Sequence, residues 1–167
     1  VLAPVVEVRV GGTPTPVSEA QARLLLALAV SHPAPLHAEQ ASDLLWPDEP
    51  LEDTRHRLHN LVLRVRKALG RDAVRSRRGG ALHLDPDRWD VDLWRFRRAL
   101  AGGGDLPVPC GNLADAQFPY DDRFVDERHR LAAEWLRHAR AAVASGDATP
   151  ADLAPAAAAL GLSPDDL

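Results

Sequence analysis

The sequence predicts a mainly α-helical chain with small β-hairpins, and three observations predict it. Leu51–Gly70 repeats apolar residues at helical spacing along one side and collects cations on the other. Two short alternating stretches, Val5–Val17 and Val74–Asp85, are each interrupted by a Gly-Gly turn. Beyond Pro119 the chain becomes rich in alanine and acid, with helix-start signals at Thr149 and Ser163.

In chain order, Val6, Val8 and Val10 alternate with Glu7 and Arg9, which predicts a strand turning at Gly11-Gly12 and ending near Val17. Ser18-Glu-Ala-Gln21 has the spacing of a capping box. The helix it opens carries Ala22, Leu25, Leu26, Leu28 and Ala29 and stops before Pro33. A short helix is expected over Ala38–Leu45, with Trp46 after it and Pro47 forbidding continuation. Pro50 suits the first turn of the long helix and Gly70 its end.

At about 100° per residue, Leu58, Leu61, Val62, Val65 and Leu69 share the inner face of that helix. His56, Arg57, Asn60, Leu63, Arg64, Lys67 and Arg71 share the outer one. Val74–Asp85 then predicts a hairpin turning near Arg78-Gly79-Gly80, with Arg75, Arg77 and Arg78 on it. Trp89–Phe96 opens a helix expected to be capped by Asp90 or Asp92 and ended by Gly102.

The order is that of a winged helix-turn-helix domain, expected over 1–101. A Pro/Gly-rich linker is expected at 102–119, followed by helices at Asp121–Ala144 and from Thr149 to Gly161. The start signal Ser163-Pro-Asp-Asp marks these as antiparallel, TPR-like helices, one unit of a helical repeat over 120–167.

Composition bounds function. Of 167 residues, 46% are hydrophobic and 26% charged, ordinary for a globular chain. No apolar run is long enough for a bilayer, so no membrane partner is expected. The chain opens Val1-Leu-Ala-Pro with no Met and no basic leader, from which a trimmed start and a cytoplasmic location are expected. One cysteine, Cys110, rules out an internal disulfide framework.

The net charge of −4 hides a division. Glu52–Gly80 holds nine Lys or Arg against three acids, whereas 102–167 holds five against eleven. A polyanion feels the local field, since charges beyond about 8–10 Å are screened. The stripe Arg57, Asn60, Arg64 and Lys67 is expected to lack acidic partners one helical turn away, where a solvated surface helix places glutamates.

Arg64 suits bidentate contact with guanine, and Asn60 with adenine. Leu63 could touch a thymine methyl. Arg77 and Arg78 at the hairpin tip could enter a minor groove or hold phosphates. His56 and His59 have metal-ligand spacing but no third ligand to match. Trp46, Trp89, Trp94 and Trp135 stand beside apolar helical residues and are expected in cores or interfaces. There is no phosphate loop, nucleophile elbow or dinucleotide fingerprint, so neither an enzyme nor a cofactor is expected.

Three stretches resemble the SARP family of bacterial transcriptional activators. They are Leu44-Leu-Trp-Pro-Asp48, the basic helix ending Arg64-Val-Arg-Lys-Ala-Leu-Gly70, and Asp85-Pro-Asp with Asp90-Val-Asp-Leu-Trp-Arg-Phe96. The resemblance spans nearly the whole chain. It implies an OmpR-type winged helix and the start of a bacterial transcriptional activator domain. It also implies binding to promoter repeats in double-stranded DNA, dimerisation and recruitment of RNA polymerase.

Carried over, the base contacts fall on Arg57, Asn60 and Arg64. The backbone contacts fall on His56, Arg66, Lys67 and Arg71, and the wing on Arg75–Ala81 with Arg75, Arg77 and Arg78. The chain departs from the pattern at Ala81, where an aromatic is frequent, at His37 in a helix N-cap, and at Leu63, where a basic residue is frequent. The alternative reading is a winged helix that has lost DNA and serves as a protein-docking module.

Overall fold

A computed structural model describes residues 2–77, 79–102 and 105–167. Its helices are α1 (Glu19–Ser31), α2 (Ala38–Leu45), α3 (Leu51–Leu69), α4 (Asp92–Ala101), α5 (Asp122–Ser145) and α6 (Pro150–Ala159). A 3₁₀ turn over Pro164–Asp166 follows. Two antiparallel pairs complete it: β1 (Arg9–Val10) with β2 (Thr13–Pro14), and β3 (Arg75–Ser76) with β4 (Leu82–His83). The fold is mainly α-helical with two small β-hairpins. No helix among the described residues is long and apolar enough to cross a membrane.

The chain forms two compact units. One is Glu7–Asp90; the other joins Val1–Val6 to Val91–Leu167. In the first, α1, α2 and α3 contact one another. Their shared core takes Leu25, Leu26 and Ala29 from α1, Ala41, Leu44 and Leu45 from α2, and Leu58, Leu61, Val62 and Val65 from α3.

Ser18 starts α1 with the expected capping box: its Oγ accepts from the Gln21 N–H, and Gln21 Oε1 accepts from the Ser18 N–H at 2.8 Å. The β3–β4 hairpin buries Leu82. Leu36, between α1 and α2, adds a third short partner. Its N–H donates to Leu82 O at 2.8 Å and its carbonyl accepts from the Leu82 N–H at 2.7 Å. The first hairpin is shorter than its alternation predicts, with two residues per strand, all exposed. Pro14 and Pro16 remove the N–H groups a longer ladder needs.

The second unit corrects the expected boundary. The division falls at Asp90/Val91, one helix before the expected 101, and α4 contacts α5. Leu93, Trp94, Phe96 and Leu100 are buried, which gives α4 an apolar face of its own. Its N-cap is Val91, and Asp92, which was expected as a cap, stands in the first turn.

The segment expected as a linker is built into the unit. Leu113, Ala114 and Phe118 are buried. Ala114 and Ala116 donate to the carbonyls of Ala3 and Pro4, each at 3.0 Å. Val6, expected in the first hairpin, donates its N–H to Gln117 Oε1 at 2.9 Å. A Cβ on Gly111 would lie 2.7 Å from Pro4 Cδ, so this close approach needs glycine.

Buried Arg128 organises the same segment. Its guanidinium donates to the carbonyls of Leu113 (2.8 Å), Phe118 (2.6 Å), Pro119 (3.2 Å) and Ala114 (3.3 Å). Buried Glu127 accepts from Arg97 at 2.6 Å, tying α5 to α4. Farther on, Thr149 caps α6 as expected, and with Asp152 it forms a capping box.

Candidate nucleic-acid interface

The candidate surface is built on α3. Glu52 and Asp53 stand at the positive end of its dipole, and Arg66 and Lys67 at the negative end. Gly70 ends it at φ 107°, a backbone favoured by glycine. The inner face is buried and the outer face open: His56, Arg57, Asn60, Leu63, Arg64 and Lys67 are all exposed. Leu63 is 47% exposed, an apolar side chain among polar ones. A hollow of about 640 Å³ runs along this face, lined by Ala20, Trp46, Arg57, Asn60, Leu63, Arg64 and Lys67.

The cations of the stripe are not equivalent. Arg57 pairs with Glu49, and its guanidinium lies 4.6 Å from the centre of the Trp46 ring. The expected uncommitted base reader is therefore already held at both its charge and its flat face. Asp53, one turn back, adds a second acid nearby in sequence. Trp46, expected in a core or interface, is instead the half-buried floor under Arg57. The side chains of Asn60, Arg64 and Lys67 have no hydrogen bond or ion pair among the described residues.

Arg66 has a task that the expectation of a phosphate contact omits. Its Nε donates to Val74 O at 2.9 Å and its Nη2 to Ser76 Oγ at 3.1 Å, so it ties α3 to β3. Arg75 pairs with Asp85 at 3.0 Å. Arg77 is exposed, and its backbone closes the hairpin by donating to Ala81 O at 2.8 Å. Gly79 and Gly80 both take positive φ in the turn. Arg78, expected at the tip, lies outside the described residues.

Trp89 donates its indole N–H to Ala73 O at 2.8 Å, fixing the chain that leads into β3. Between α3 and the hairpin lies a second hollow, bordered by Arg66, Arg71, Arg75 and His83. Burial pushes His83 below its ordinary imidazole value, and the charges of Arg77 and Arg75 push it the same way.

Sequence reasoning missed Glu49 and His83. Glu49 is separated from Arg57 by the Pro50 helix start, so no helical spacing pairs them. His83 follows strand alternation, which carries no sign of the arginines across from it. Among the described residues no group of three His, Cys, Asp or Glu is placed to hold a metal ion. No protein-family model, curated protein or solved structure matches this chain.

Proposed function

We propose that Glu7–Asp90 is a winged helix-turn-helix domain that binds double-stranded DNA, with α3 in the major groove and the β3–β4 hairpin as its wing. The observation that carries this reading is the exposed row Asn60, Arg64 and Lys67, which has no acidic partner among the described residues and stands on the helix that Arg66 bolts to a basic hairpin. A major groove admits one α-helix, and a planar amide beside a guanidinium matches the edges of adenine and guanine.

Two further features support it. The α2–α3 pair is joined by a short Pro-bounded turn, and the Leu36–Leu82 bridge adds a third short segment to the hairpin, as a wing requires. Arg64 and Asn60 would read bases. His56, Lys67 and Arg71 would hold phosphates, and Arg77 would reach the neighbouring backbone or minor groove. Arg57 would join the base readers only by leaving Glu49 or by working from its place on Trp46.

The resemblance to SARP activators extends the proposal. The domain would bind promoter repeats as a homodimer and recruit RNA polymerase. Helices α5 and α6 with the start at Ser163 would form one unit of a helical-repeat domain. The test is the affinity of the chain for random-sequence duplex as salt rises. Each phosphate contact should cost about threefold in affinity over a fourfold rise in salt. An affinity that ignores salt would overturn the reading and leave the protein-docking alternative.

A further inference from the structure

The hollow beside the wing has a composition that base reading by α3 leaves unused. It encloses about 550 Å³, bordered by Arg66, Arg71 and Asp72, with Arg75, Ser76 and His83 on the strands. Three guanidiniums and an imidazole therefore meet a single carboxylate among its lining residues. That carboxylate, Asp72, is within 3.4 Å of Arg88 Nη1.

The arginines are held in place but not used up. Arg66 spends Nε and Nη2 on Val74 and Ser76, and Arg75 spends Nη1 on Asp85. A guanidinium has five N–H donors in a planar fork, so both keep donors to offer. Arg71 is exposed and has no partner among the described residues. His83 Nδ1 is shut off from solvent with no hydrogen-bond partner there either. Gathered cations repel one another, and an anion among them relieves that repulsion.

We propose that this hollow is a phosphate site, holding one phosphodiester of the nucleic-acid backbone between Arg71 and the anchored guanidiniums of Arg66 and Arg75, with His83 beside them. The duplex as the source of that phosphate rests on the function proposed above. Inorganic phosphate offers the same chemistry.

The site has a pH signature. Empty, the imidazole faces Arg77 and Arg75, which disfavour its charge, and Asp85, which favours it; Arg66, Arg71 and Asp72 share the hollow. A bound phosphate adds negative charge and favours the protonated ring, so binding takes up a proton. Affinity then rises as pH falls, by up to about tenfold for each unit by which the phosphate raises the imidazole.

The experiment titrates the full chain with random-sequence duplex and, separately, with inorganic phosphate. It follows the His83 imidazole resonances, assigned through His83→Gln. Both probes should move those resonances and raise their midpoint. Duplex affinity should tighten toward acid. His83→Gln should remove that part of the pH dependence which His56 and His59 do not supply. Arg71→Ala, at an exposed position where folding is not at stake, should lower the slope of log affinity against log salt by about one.

A duplex that binds without moving His83, and with a pH profile and salt slope untouched by both variants, overturns the phosphate site and leaves the duplex reading standing. Phosphate moving His83 while duplex fails to bind does the reverse. Neither probe moving His83 overturns the site.

Discussion

Arg57 and Arg64 stand two helical turns apart on one face of α3, yet they differ in what they can do. Arg57 is committed to Glu49 and Trp46, whereas Arg64 has no partner among the described residues. A committed guanidinium must give up an ion pair and a stacking contact before it meets a base; an uncommitted one loses only water and rotamer freedom. On the proposed DNA-binding reading, base discrimination should therefore centre on Arg64. Arg64→Ala should cost about 1–3 kcal/mol in binding to the preferred site and relax selection at one base pair. Lys67→Ala should weaken every sequence alike and lower the salt slope by about one. Measured affinities for specific and random duplex separate these, and two variants with the same profile would refute the division of roles. The outer face itself was legible, because period alone separates Leu61 and Val65 from Asn60 and Arg64. The pairing of Arg57 was not, because Glu49 reaches it across a turn that no periodicity describes.

At the scale of the element, caps were the most legible signals. Ser18, Thr149 and Ser163 each stand at a helix start that the sequence signals, with their side-chain oxygen accepting from a backbone N–H. Thr149→Ala should lower stability against denaturant by about 1 kcal/mol, the usual worth of an N-cap oxygen. The effect should depend on pH in a fixed direction. Thr149 donates to Asp152 from Oγ1 and N–H, which holds that carboxyl below its ordinary value. A group depressed on folding stabilises above its unfolded value and loses that contribution as pH falls through the folded one. The gap between wild type and variant should thus narrow in acid, and a gap that widens there would contradict the cap. The start of α4 was misread because two aspartates offered themselves as caps. Position in the chain decided otherwise, with Val91 extended at the N-cap.

Across the whole molecule, the division into units was the least legible feature. Glycine and proline between Ala101 and Pro119 signal an irregular backbone, and irregular is what the segment is. Its burial comes from distant residues: Leu2–Pro4 along one side and Arg128 through four carbonyls. Ala114 takes φ 46°, rare for an L-residue, while its N–H donates to Ala3 and its carbonyl accepts from Arg128. Burial lowers the Arg128 guanidinium from its usual value, and the charges of Asp115 and Asp121 oppose the shift. Replacing Arg128 with Met keeps much of the volume but leaves several carbonyls without donors. Stability should fall by about 3 kcal/mol in denaturant, and amide exchange should quicken over 113–119. Unchanged exchange there would show that the segment holds without the guanidinium.

Local rules were enough for the helices, for the caps at Ser18, Thr149 and Ser163, and for the outward face of α3. Each depends on residues within a turn or two, where period, φ preference and side-chain reach act directly. Three outcomes needed contacts between different elements: Leu2–Val6 joining the second unit, the pairing of Arg57 with Glu49 across a turn, and the gathering of Arg66, Arg71, Arg75 and His83 around one hollow. Such contacts are chosen by which surfaces and charges meet once the elements have packed, and the periodicity of a single element does not carry that information.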